Sequence, residues 1–176
     1  MLDEFVWGKV GRISPEAPVP VVEVSGESFY PGGAANVARN LREFTAHVGV
    51  VGMIGRDRGG EQLRQLLADQ KIDTSACSIS PDFPTIVKTR IIARQQQVVR
   101  VDREKIVAPD EKQIGSVVAS VKKMLPEIDG IIFEDYGKGF LAEKLVSEIV
   151  ASAREGSNSR GAKSPAPPRG RYPWPT

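Results

Sequence analysis

The strongest constraint on this chain is a repeated alternation of a short apolar run, a glycine-rich turn and a helix with one apolar stripe. Residues 47–54 (HVGVVGMI) are apolar apart from the first residue and the glycines, and residues 128–133 (IDGIIF) form a second such run. Runs this hydrophobic suit strands buried on both faces. Residues 19–24 read as a further strand, and residues 72–79 lead into an extended region. Pro31-Gly32-Gly33 opens a helix on which Val37, Ala38, Leu41 and Phe44 share a stripe, and Gly59-Gly60 opens one that gathers Leu63, Leu66 and Leu67. Asp110, after Pro109, N-caps a third helix striped by Ile114, Val117, Val118, Val121 and Leu125. Leu141, Leu145, Val146, Ile149 and Val150 stripe a fourth. Strand, glycine turn, helix is the repeating unit of a parallel α/β sheet. The expected fold is a three-layer α/β/α domain with a mostly parallel sheet.

Residues 84–104 (PTIVKTRIIARQQQVVRVDRE) break that pattern. Their β-branched residues alternate with Lys88, Arg90, Arg94 and Arg100, and Gln95-Gln96-Gln97 divides them into two arms, so they predict a two-stranded ribbon with a basic face. Arg90, Arg94, Arg100 and Asp102 on that face are candidates for holding a phosphate and hydroxyls, since Arg forks match phosphate oxygens. A plain solvated strand face accounts for the same spacing.

With 176 residues, the chain suffices for one core of ordinary size. Residues 1–156 form the body, and 157–176 (SNSRGAKSPAPPRGRYPWPT) read as a disordered tail with five of the thirteen prolines. The composition switches at this boundary where a further buried strand is expected, as a frameshift or truncation would make it. The tail holds Arg160, Lys163, Arg169 and Arg171 and no acid, which leaves the body 20 bases against 22 acids. A body without basic excess lacks the footprint of a nucleic-acid or anionic-membrane binder, so a small-molecule partner is expected. No run is long enough for a membrane span and no signal peptide opens the chain, which places it in the cytoplasm. Cys77 is the one cysteine, so no disulfide framework or cysteine metal cluster can form, and it reads as a packed thiol.

Chemistry concentrates in two glycine turns. In PGGAAN (residues 31–36), glycines at a helix start let a ligand approach free backbone N–H groups, and Asn36 can add a contact to a hydroxyl. The same residues also suit a tight turn that caps a helix. Asp135 and Lys138 stand at the carboxyl end of the 128–133 run, the edge where open α/β sheets bind ligands, although a helix-capping turn is an equal reading. GKGFLA (137–142) matches a dinucleotide glycine pattern, but Glu155, the acid near the required spacing, lies at a helix end, and the match is set aside. His47 opens an apolar run with no Asp, Ser or Cys beside it and reads as structural. No G-x-x-x-x-G-K-[ST] loop occurs, so ATP cannot bind by a P-loop.

RISPEAPVPVV (12–22), PGGAANVARNL (31–41), KTRIIARQQQVVRVDRE (88–104) and EDYGKGFL (134–141) together resemble the ribokinase-like (PfkB) sugar kinases. Within that family they are most similar to the kinase domains of the bifunctional heptose 7-phosphate kinase/adenylyltransferases. The resemblance runs in register over residues 1–155. It implies a β-sheet lid over the substrate, built from the segments near Val6, 19–24 and 84–102, and incomplete three-layer architecture around it. It implies that Asp3, Gly32, Gly33 and Asn36 hold sugar hydroxyls, that ATP and Mg²⁺ take part, and that lids of this kind can pair into homodimers. The implied reaction is phosphorylation of a sugar phosphate, heptose 7-phosphate, at its anomeric hydroxyl. Two departures stand out. Family members have a strand ahead of the Asp that matches Asp3, and a downstream Gly-Ala-Gly-Asp motif bearing the catalytic base; neither is present here. No catalytic residue is therefore assigned, and the chain alone is expected to be inactive. Another PfkB sugar kinase, a non-catalytic sugar-phosphate binding or dimerisation module, and a gene fragment that never folds stably are the rival readings.

Overall fold

The computed structural model describes residues 1–159. Two long hairpins dominate it. Strand β1 (Leu2–Ile13) pairs antiparallel with β2 (Pro20–Pro31), and β5 (Val87–Ala93) pairs antiparallel with β6 (Gln96–Arg103). A parallel pairing of β1 with β5, from Leu2 against Val87 to Gly8 against Ala93, joins them into one four-stranded sheet of order β2-β1-β5-β6. The segments that the family resemblance assigned to a lid thus belong to one sheet. β3 (Met53–Gly55) and β4 (Ser78–Ser80) form a short parallel pair.

Helix α1 (Ala34–Leu41) follows directly from Gly33, whose φ of 56° is the left-handed conformation that glycine adopts without a Cβ penalty. Helix α2 (Arg58–Asp69) starts at Asp57, whose Oδ1 accepts from the Gly60 backbone N–H at 2.8 Å. Helix α3 (Glu111–Met124) has a reciprocal capping box between Asp110 and Gln113. Helix α4 runs Glu143–Ser159, so three residues that composition gave to the tail continue its backbone, and the rest of that tail lies outside the described residues.

The core has two parts. Leu2 and Val87, from one face of the large sheet, are buried with Ala35 and Ala38 of α1, Leu63 and Leu67 of α2, and Ile72. Ile114, Val117, Val118 and Val121 of α3 close on Leu145 and Ile149 of α4. The apolar stripes of α2 and α3 are the ones that the periodicity predicts, and α4 buries Leu145 and Ile149 of its stripe while Leu141 precedes the helix.

Five expectations need correction. The 47–54 run is a strand only at its end, in β3; before that, a single bridge joins Gly49 to Asp73, and the run is half-buried. Gly49 and Gly52 interrupt it, and its partner offers three paired residues, too little for a continuous ladder. The 128–133 run belongs to neither sheet: no described strand runs beside it to satisfy its backbone groups, and Ile132 stays 58% exposed. Phe44 is exposed because α1 ends at Leu41, which takes Phe44 off the helical stripe. The ribbon turns at Arg94 and Gln95 rather than through all three glutamines, since Gln96 and Gln97 already pair with Ala93 and Ile92. Asp3 likewise stands within a strand, as the second residue of β1, and not after one.

Candidate functional site

Strand periodicity sorts the large sheet into two faces. One face holds Leu2 and Val87 over the α1 and α2 core. On the other, register aligns Tyr30, Asp3, Lys88 and Asp102 in one row across all four strands, and Ser28, Phe5, Arg90 and Arg100 in the next. Residues distant in sequence therefore meet as one charged patch.

Its charges are paired in a defined pattern. Arg90 Nη1 donates to Asp3 Oδ1 at 2.6 Å, and its guanidinium lies 5.2 Å from the centre of the Phe5 ring. Lys88 Nζ donates to Asp102 Oδ2 at 2.8 Å and stands 3.8 Å from Glu104 Oε2. Arg100 grips Asp102 with two nitrogens, at 2.8 and 3.0 Å. Lys88 and then Arg100 hold the Asp102 carboxyl below its usual range, and Asp102 in turn raises Arg100. Phe5 stacks on Trp7 at 5.9 Å and meets Tyr30 edge-on at 5.6 Å, so the charged rows border an aromatic strip. Trp7 Nε1 donates to Ser28 Oγ at 2.9 Å and fixes that strip to β2.

The PGG turn abuts this patch. The Gly32 backbone N–H donates to the Met1 carbonyl at 3.0 Å, and a Cβ at Gly32 would fall 2.5 Å from Asp3 Oδ2. The missing side chain is what lets the carboxylate of Asp3 lie against the start of α1. Asn36, the third residue of α1, is half-buried beside it in sequence. Tyr136 approaches Gly33 as well: its ring would be 3.5 Å from a Cβ there, which brings the 134–139 loop to the same edge.

Within that loop, Asp135 Oδ1 accepts from the Gly137 N–H at 2.7 Å, a local turn contact. Lys138 Nζ reaches across to Glu104 Oε2 at 2.7 Å. Arg94 is the residue that does not join. It occupies the exposed β5–β6 turn with φ 58°, its N–H bonded to the Gly8 carbonyl at 3.0 Å, and it lies four residues along the ribbon from Arg90, about 13 Å at the strand rise. Even spacing suggested a shared face; the turn intervenes.

Sequence reading missed Phe5, Tyr30 and Glu104. The aromatics gave no signal until register placed β1 between β2 and β5. Glu104 had one: it follows Asp102 at strand spacing. Away from the patch, Arg39, Arg42, Glu43 and Gln70 line a depression of about 480 Å³ between the ends of α1 and α2.

Comparison with known proteins gives this geometry its family. The model of the pfkB family of carbohydrate kinases matches residues 5–144. The chain belongs to the pfkB carbohydrate kinase family. It is 41% identical over 157 residues to the bifunctional protein HldE of Helicobacter hepaticus, covering 89% of this chain and 33% of that protein. It is 44% identical over 154 residues to HldE of Helicobacter pylori, covering 87% and 33%. The chain thus spans about a third of the length of these relatives. Phosphofructokinase-2 of Escherichia coli, solved with fructose-6-phosphate, shares the fold with a TM-score of 0.58 at 18% identity, over 88% of this chain and 48% of that one. A carbohydrate kinase from Agrobacterium tumefaciens does so with a TM-score of 0.56 at 18% identity, over 89% and 48%. The ribokinase-like α/β fold expected from sequence is the fold observed, with a mixed sheet in place of the mostly parallel one.

Proposed function

We propose that this chain forms the sugar-binding side of an ATP-dependent kinase acting on a sugar phosphate, with D-glycero-β-D-manno-heptose 7-phosphate as substrate and its anomeric hydroxyl as acceptor. The observation that carries the reading is the charged sheet face beside the PGG turn, where Asp3 and Arg90 meet at 2.6 Å. Asp3, Asn36 and the backbone at Gly32 and Gly33 suit sugar hydroxyls: a carboxylate accepts, an amide does both, and backbone N–H groups donate. Arg90, with Arg100 and Lys88 oriented by Asp102, suits the phosphate the sugar already carries. Asp135 and Lys138 close the edge where the loop meets Gly33. The sheet acts as a lid that keeps water, a competing acceptor, away from the transfer.

ATP supplies the transferred phosphoryl group and Mg²⁺ offsets its charge in reactions of this class. Among the described residues no three His, Cys, Asp or Glu side chains come together as a metal-holding group, so no residue of this chain is assigned to Mg²⁺. The sequence holds no Gly-Ala-Gly-Asp motif to provide a base and an anion-binding helix start. Phosphoryl transfer depends on positioning and charge stabilisation, so the chain alone binds sugar without turning it over. Dependence on ATP places the intact enzyme in the cytoplasm.

A homodimer through the lid extends this reading. Strand β5 covers β1 only as far as Gly8, so the hairpin arm beyond it, with Ile13, Val19 and Val24 exposed, has no third strand among the described residues. Two-stranded arms are marginal in water, and a second copy supplies what this one lacks. Sedimentation should show a dimer that I13D and V24D together dissociate; a monomeric wild-type chain rejects this part.

Calorimetric titration with heptose 7-phosphate, unphosphorylated heptose and fructose 6-phosphate tests the main proposal. Tightest binding of heptose 7-phosphate supports it. Preference for an unphosphorylated sugar rejects the phosphate assignment, and ATP-dependent turnover by the purified chain rejects the claim of inactivity.

A further inference from the structure

The proposed site leaves one carboxylate without a role. Glu104, just past the end of β6, sits between two cations: Lys138 at 2.7 Å and Lys88 at 3.8 Å. The two come from different parts of the fold, Lys88 from β5 and Lys138 from the loop that touches Gly33. A second contact joins the same segments, since a Cβ at Gly139, where φ is 84°, would lie 3.2 Å from both Ile106 Cγ2 and the Val107 carbonyl. The chain leaving the ribbon and the glycine loop are thus held together by an ion pair at one point and by close backbone packing at another. All three charged groups are partly shielded, with side-chain exposures of 15% for Lys88, 26% for Lys138 and 30% for Glu104. The Lys138 ammonium holds the Glu104 carboxyl below its usual range, so it is ionised at neutral pH.

We infer that Glu104 is a positioning residue: its carboxylate holds Lys138 beside Lys88, which Asp102 already fixes, so that both ammonium groups face the anionic group of the ligand, and it ties the ribbon to the glycine loop while it does so. This rests on the sugar-phosphate reading above and assigns to it a residue and a specificity. Lys is a flexible point charge on a long stem, and its contribution to binding an anion depends on what pre-orients it. With Glu104 in place, Lys138 is held at the edge of the patch and the phosphate receives a preset pair of ammonium groups. Arg90 and Arg100 need no such help, being fixed by Asp3 and Asp102.

The inference separates itself from simple electrostatics by sign. Removing a negative charge next to a phosphate site raises phosphate affinity if charge alone matters, and lowers it if Glu104 acts by orienting lysines. The experiment titrates the wild-type chain, E104Q, E104D, K138M and the double variant E104Q/K138M with heptose 7-phosphate and with unphosphorylated heptose by calorimetry, and records the Tm of each. The expected result is a loss of about tenfold for heptose 7-phosphate in E104Q, a change of less than about twofold for the unphosphorylated sugar, and partial recovery in E104D. Adding E104Q to K138M should cost less than E104Q costs alone, because Lys138 is part of what Glu104 positions. Tighter or unchanged phosphate binding in E104Q overturns the inference while leaving the sugar-phosphate reading intact. Equal loss of both sugars, with a lower Tm, shows a merely structural role and overturns it too. A wild-type chain that binds neither sugar rejects the sugar-phosphate reading and, with it, the role of Glu104.

Discussion

At the scale of single residues, the site depends on close approaches that a larger residue would block. Gly32 is the sharpest case: any Cβ there collides with the Asp3 carboxylate, which must then leave Arg90. G32A should therefore weaken sugar-phosphate binding by about tenfold or more while the helices stay folded, read by calorimetry beside far-ultraviolet circular dichroism. Asp57 is the counterpart in the scaffold. It uses both carboxylate oxygens, Oδ1 for the Gly60 N–H at 2.8 Å and Oδ2 for the Thr85 N–H at 2.7 Å, and so links the start of α2 to the chain entering β5. Burial works to raise its pKa, but the N–H groups of Thr85 and Gly60 prevail and hold it below the ordinary value. A carboxyl whose folded-state pKa is lowered gives stability that is present above the unfolded-state pKa and lost as pH falls through the folded-state one. An amide can accept at one oxygen only, so D57N should cost about 1–3 kcal/mol at neutral pH. The difference in Tm between wild type and D57N should shrink as pH drops below about 4, the ordinary carboxyl range.

At the scale of elements, sequence pattern did best where the signal was local. The α3 stripe, its Asp110 cap and the α2 leucines follow from 3.6-residue periodicity and capping chemistry, both of which act within a few residues. The ribbon was legible as two arms, but not the position of its turn, since three glutamines carry no turn preference strong enough to choose one. Arg94 shows the consequence: assigned to a binding face by even spacing, it instead occupies a left-handed turn position. R94G should leave sugar-phosphate affinity unchanged and raise stability by up to about 1 kcal/mol, because glycine adopts that conformation without a Cβ penalty. Chemical denaturation and calorimetry check the two halves. A loss of affinity matching that of an Arg90 variant would return Arg94 to the site. The 128–133 run was misread for the opposite reason: strand formation is settled by a neighbour, and no apolar pattern reports whether a neighbour is there.

At the scale of the whole molecule, the site is a product of topology. Asp3, Tyr30, Lys88 and Asp102 come from four strands, and they meet because a parallel β1–β5 pairing joins two hairpins. Nothing in the spacing of these residues predicts that pairing: the glycine turn and the ribbon's Arg90, Arg100 and Asp102 are legible in the sequence, the family resemblance adds Asp3, and the register adds Phe5 and Tyr30. The fold is that of pfkB kinases, and the chain covers 48% of the length of the phosphofructokinase-2 it resembles. The charged sheet face and the PGG turn are within the described part. Binding and turnover should therefore separate in this chain: sugar phosphate bound, ATP not consumed, in a coupled assay that detects ADP.

Residue-resolved NMR of the chain during titration with heptose 7-phosphate would show whether the ligand lies on the charged sheet face beside the PGG turn. Shifts should concentrate at Asp3, Phe5, Gly32, Gly33, Asn36, Lys88, Arg90 and Arg100, with Arg94 silent. Shifts gathered instead around Arg39, Arg42 and Gln70, or none at saturating ligand, would contradict that placement.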